Sequence, residues 1–155
     1  MSVAFRRESD EEHKEPRFEL PIPPGPNLVT AAGLKQAGDQ VAALEAKAAA
    51  ETDELALADA QRSLRYWRTR LATAELAPPP PADEAAFGSR VTFRLNGAER
   101  VVEIVGDDEA DPAAGKLAFS APLARALIGA GPGDFADFGG KADAIEILAV
   151  AAIGA

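Results

Sequence analysis

Two runs of apolar residues with the same alternating step constrain this chain more than any other feature. Leu34, Ala37, Val41, Leu44 and Ala48 recur at +3, +4, +3, +4, and so do Leu57, Ala60, Leu64, Trp67, Leu71 and Ala74. That alternation is a heptad seam, which places one apolar stripe along each of two helices. Between the runs lies Ala50-Glu51-Thr52-Asp53-Glu54, where the register breaks and Thr52 or Asp53 is suited to cap the second helix. Two short seams with a polar break predict an antiparallel helical hairpin over residues 28–77. Each arm is about 30 Å long at 1.5 Å per residue. Thr30 is the expected cap of the first arm. Gly33 and Gly38 weaken that arm by roughly 1 kcal/mol each relative to alanine.

The flanks behave differently. Residues 1–27 alternate in charge and end in Pro21-Ile22-Pro23-Pro24-Gly25-Pro26, so they read as a disordered tail with polyproline character. Pro78 to Pro81 stop the second helix and open a stiff linker over residues 78–86.

From Phe87 to Ala155 the pattern turns to strands and turns. Arg90–Leu95 and Arg100–Val105 flank Asn96-Gly97, a strong two-residue hairpin signal. Gly106–Gly115 is an acidic loop, and Lys116–Phe119 a short third strand. Pro122 suits the first turn of a helix near Leu123–Ile128, stopped by Gly129. Two last strands, near Asp134–Phe138 and Ala142–Val150, join through Gly139-Gly140. The expected class is α+β: a helical hairpin followed by an antiparallel sheet domain with one short helix.

Charge and composition exclude several functions. The formal net charge is −9, and residues 83–155 carry twelve acids against six cations. Binding duplex DNA through its phosphates needs clustered cations, so sequence-specific DNA binding is not expected. The chain has no cysteine, which rules out disulfides and thiolate metal sites. No stretch near the N-terminus is apolar enough for a signal peptide or membrane span, and a soluble cytoplasmic monomer is expected. Asp108-Glu109-Ala110-Asp111 spells a helicase-like string, but no Gly-rich phosphate loop precedes it, and a surface turn is the better reading. Ser120 has no structured histidine to activate it, since His13 lies in the tail.

The run Ile104-Val105-Gly106-Asp107-Asp108-Glu109-Ala110-Asp111-Pro112, then Gly115-Lys116, then Ser120-Ala121-Pro122-Leu123-Ala124-Arg125-Ala126-Leu127-Ile128-Gly129, then Gly133-Asp134, resembles the C-terminal pattern of the GreA/GreB transcription factors. Asn27-Leu28-Val29-Thr30-Ala31-Ala32-Gly33-Leu34 is similar to the segment that opens their coiled coil. The resemblance implies an FKBP-like C-terminal domain that docks on RNA polymerase, with Ser120, Pro122 and Leu123 at the docking corner. It also implies a coiled coil that enters the polymerase secondary channel. In cleavage-stimulating members, acids at the coil tip help hold a Mg²⁺ shared with the polymerase; the factor is not itself an enzyme and carries no cofactor of its own. Here the tip pattern G-D-L-x-E-N-A-E-Y is absent, and each arm is shorter by roughly ten residues, or about 15 Å. Glu51, Asp53 and Glu54 stand at the expected tip, either as metal-assisting acids or as an ordinary solvated turn.

Arg62, Arg65 and Arg68, with Arg70, crowd the second arm beside Tyr66 and Trp67. They are expected either to contact RNA or polymerase, or to pair with Glu45 or Asp39 across the hairpin. The implied function is a regulator of transcription elongation at the secondary channel, without strong transcript-cleavage stimulation, as in Rnk-like short-coil relatives. An active cleavage factor is the alternative. A peptidyl-prolyl isomerase, the alternative from another class, needs an aromatic-lined proline pocket from Phe93, Phe119, Phe135 and Phe138.

Overall fold

A computed structural model describes residues 18–154. His13 and most of the expected tail lie outside the described residues. Helices α1 (Ala31–Ala50) and α2 (Glu54–Thr73) form the hairpin, and both expected caps are made. The Thr30 hydroxyl accepts the amide of Gly33 at 3.1 Å, and Asp53 Oδ2 accepts that of Ala56 at 2.9 Å. Each satisfies an amide that the first helical turn leaves without an intrahelical partner. Along the seam Ala37, Ala60 and Leu64 are buried, while Val41, Leu44 and Trp67 are half-buried. Two helices alone have no third layer to close over the seam, so its edges stay wet.

At the open end of the hairpin the observed packing departs from the heptad. Leu71, an expected seam residue, is exposed, and Arg70 is buried in its place. The reason is tertiary: the C-terminal domain arrives here and supplies an acid for Arg70. Strand β1 (Leu28–Val29) pairs in parallel with β2 (Glu75–Leu76), tying both ends of the hairpin together. Helix α2 has therefore ended at Thr73, and the chain is already extended before Pro78.

The C-terminal sheet has five strands. Strands β3 (Ser89–Leu95) and β4 (Ala98–Val105) meet at Asn96-Gly97, both with positive φ as a primed turn requires. Strand β7 (Lys141–Ala152) pairs antiparallel with β3 on one side and with β6 (Phe135–Phe138) on the other. The sheet is mixed rather than wholly antiparallel. Strand β5 (Lys116–Ala118) runs parallel to β4, because the acidic loop carries the chain back to restart beside Glu103. Helix α3 (Pro122–Leu127) covers one sheet face, and Leu127 packs with Phe93, Ile104, Ile145 and Ile147 in a fully buried core. Ala85 is also fully buried there and exchanges backbone hydrogen bonds with Gly129 and Ala130, so domain packing reaches back before Phe87.

Candidate functional site

Three successive acids in a single 3-10 turn, Asp107–Glu109, bind three different parts of the molecule. Glu109 takes the start of α1. Its Oε2 accepts the amides of Thr30 at 3.2 Å and Gly106 at 3.1 Å, and its Oε1 accepts the Thr30 hydroxyl. A side chain at Gly33 would place Cβ 2.4 Å from that carboxylate, so the glycine that weakens the isolated helix is what lets α1 approach.

Asp108 takes α2. Its Oδ2 accepts Arg70 Nε at 2.6 Å, its Oδ1 accepts the Tyr66 hydroxyl, and its carbonyl accepts Gln36 Nε2 at 3.2 Å. The Arg70 side chain is 3% exposed and that of Asp108 17%, so this is a charge pair in a largely water-free setting. Burial, and next the hydrogen bond to the Asp108 carboxylate, push the Tyr66 phenol up to about 12. Asn27 closes the other side, donating from Nδ2 to the Arg70 carbonyl at 2.8 Å and to Thr73 Oγ1 at 3.2 Å. Asp107 takes the third element, accepting the Ser120 hydroxyl at 2.9 Å just before α3. The acidic string is a clasp between hairpin and domain. Sequence reasoning treats it as a surface turn because nothing local marks which acids face a distant arginine.

At the corner expected to dock, Ser120 and Pro122 are exposed and Leu123 is half-buried against the core. Ala121 holds the N-cap position of α3 without a side-chain cap bond, so Ser120 is a partner of the clasp rather than the cap. The tip acids lie at the far end of the hairpin, about 30 Å away along a twenty-residue helix. Two of them build the turn: Glu51 Oε1 accepts the Asp53 amide at 3.1 Å, and Asp53 caps α2. Glu54 stays exposed in the first turn, where the helix dipole favours it. Among the described residues, no group of three or more histidine, cysteine or acidic side chains is arranged to hold a metal ion.

The arginine row is paired throughout. Arg62 meets Asp59 at 2.6 Å, Arg65 meets Glu19 at 2.5 Å, and Arg68 reaches Glu45 across the hairpin at 3.0 Å. Asp39 pairs with Lys35 instead of an arginine. The four phenylalanines do not converge: Phe93 is in the core, Phe119 and Phe138 pack against it, and Phe135 is exposed on the edge strand.

Residues 80–152 match the family described as Transcription elongation factor, GreA/GreB, C-term. This segment is a GreA/GreB-type C-terminal domain. The chain is similar to the transcription elongation factor GreA of Brucella anthropi, 48% identical over 54 residues, which are 34% of each protein. It is similar to that of Brucella canis, 40% identical over 72 residues, covering 44% of this chain and 46% of that protein. The matched stretches thus span a third to just under half of these relatives' length. Among solved structures, the GreA/GreB transcription elongation factor from Nitrosomonas europaea aligns over 83% of this chain and 99% of that one, with 21% identity and a TM-score of 0.40. Within the GreA/GreB-type domain lie Asp107, Asp108, Glu109 and Ser120; their hairpin partners Thr30, Tyr66 and Arg70 fall outside the matched residues. Among the described residues, no helix is long and apolar enough to cross a membrane.

Proposed function

We propose that this chain binds RNA polymerase through its GreA/GreB-type domain and regulates transcription elongation by presenting its short hairpin at the secondary channel, without strongly stimulating transcript cleavage. The observation that carries the reading is the clasp. A hairpin held to the domain by a buried ion pair and by Glu109 points in a direction fixed by wherever the domain docks. Ser120, hydrogen-bonded to Asp107, links the exposed corner at Pro122 to that same clasp.

Weak cleavage stimulation follows from the tip. Two of its three carboxylates already accept backbone amides of the turn, which leaves them poorly placed to share a hard cation needing several oxygen ligands. The protein acts on the polymerase and has no catalytic centre of its own in this reading. An isomerase role is disfavoured, because three of the four candidate phenylalanines are spent on the core.

The test is co-purification with core RNA polymerase. Pro122→Arg changes an exposed side chain and is expected to abolish capture of polymerase while leaving the melting temperature unchanged; undiminished capture refutes docking at this corner. A cleavage assay on backtracked complexes then separates the regulator from the alternative. Robust RNA shortening that disappears in a Glu51→Ala, Asp53→Ala, Glu54→Ala triple variant would establish an active cleavage factor.

A further inference from the structure

The segment that precedes the hairpin lies back along α2 and occupies part of its surface. Glu19 forks onto Arg65, with Oε2 accepting Nε at 2.8 Å and Oε1 accepting Nη2 at 2.5 Å. Leu20 and Ile22 follow on the same wall, facing Tyr66 and Thr69 across a groove of about 410 Å³. The strap is anchored at its other end by Asn27, whose side chain is bonded to the last turns of α2. Pro21, Pro23, Pro24 and Pro26 stiffen the stretch between, so little conformational freedom is lost in laying it down.

The fit is incomplete. Leu20 and Ile22 remain 40% and 45% exposed, and the groove is left open between strap and helix. Both partners of the Glu19–Arg65 pair are more than half exposed, so water screens the contact. The strap is therefore an occupant that a better-fitting ligand can displace. Arg62 and Arg68 are each balanced by an acid of the hairpin itself, which leaves Arg65 as the cation that Glu19 answers. On the α2 side the groove is lined by Arg65, Tyr66, Arg68 and Thr69, with Arg68 already held by Glu45. What sits there is a carboxylate followed by two aliphatic side chains, so a peptide of that chemistry is the ligand that fits the seat.

We propose that the α2 face around Arg65 is a docking groove for an extended acidic–aliphatic peptide segment of a partner protein, held partly shut by this chain's own Phe18–Ile22 as a displaceable internal ligand. An exposed ion pair is a weak latch. If it keeps the seat closed about four-fifths of the time, the apparent affinity for an external peptide is about fivefold below the intrinsic one.

The probe is a synthetic peptide of residues 17–25, titrated into the full chain and followed by the fluorescence of Trp67, the sole tryptophan, which meets the groove residue Tyr66 edge-on with ring centroids 5.4 Å apart. The variant Glu19→Lys with Ile22→Ser repels the strap from Arg65 without touching either core. It is expected to bind the peptide about fivefold more tightly than the parent, and adding Arg65→Glu is expected to abolish binding. Equal affinities of parent and released variant, or no binding to the released variant, would overturn the proposal. So would tighter binding of a uridine-rich RNA of equal length, which marks a nucleic-acid face. A strap-dependent dimer in sedimentation overturns it as well, because the groove then belongs to a second copy.

Discussion

Replacing Asp108 with asparagine isolates the contact on which the relation of hairpin to domain depends. Asparagine keeps the shape and one carbonyl acceptor but removes the charge that faces Arg70. The Arg70 side chain is 3% exposed, so its guanidinium cannot regain water without moving. Removing one partner of a buried pair costs about 3–5 kcal/mol because the other charge is left uncompensated. The residual acceptor of asparagine places this change near the lower figure, about 3 kcal/mol. The internal control is Arg68→Ala, which breaks the pair with Glu45. Both of those side chains are more than half exposed, and the loss is expected to stay below about 1 kcal/mol. Urea denaturation followed by far-ultraviolet circular dichroism reads the helices, and Trp67 fluorescence reads α2. The double variant Arg70→Met with Asp108→Leu is expected to recover most of the loss, because neither charge then remains buried. If Asp108→Asn costs no more than Arg68→Ala, the clasp is a surface contact and the reasoning fails.

Other outcomes follow from the same geometry. Gly33→Ala is expected to destabilise by about 1–2 kcal/mol in a thermal melt, since its Cβ would displace a Glu109 carboxylate held by Thr30 and Gly106. Gly38→Ala meets nothing within 4 Å and is expected to stabilise by up to about 1 kcal/mol; equal effects at the two glycines would contradict the close approach at Gly33. Tyr66 is the only tyrosine, so phenolate absorbance titrates it alone, with a midpoint displaced from the ordinary 10 to about 12. The folded state holds that proton more tightly than the unfolded state. The contribution is therefore intact below pH 10 and is lost as pH rises towards about 12; a midpoint at 10 would show that Asp108 does not engage the phenol. Asp53→Ala removes the cap of α2 and is expected to cost about 1 kcal/mol, measured by the same melt.

The local elements were legible because their causes are local. Heptad spacing, a hydroxyl or carboxylate at each helix start, Asn96-Gly97, and Pro122 at the head of α3 each act through neighbours within a turn or two of the chain. The family pattern from Ile104 to Asp134 was legible for the same reason, as an ordered string. The direction of β5 was not, since pairing partner and sense are settled by how a loop folds back rather than by the strand's composition. The partners of the candidate residues were not legible either: Arg65 answers Glu19 in the preceding segment, and Ser120 answers Asp107.

What the sequence by itself determined is a two-arm hairpin, a β-rich domain and the family of that domain. What only the tertiary structure decided is how the two are joined. Arg70 leaves the polar face and becomes buried, Leu71 leaves the seam, and Gly33 becomes a contact point, all because Asp108 and Glu109 arrive from residues distant in the chain. Periodicity records which side of a helix is apolar. It holds no record of an ion pair that becomes favourable only once packing has removed the water around it.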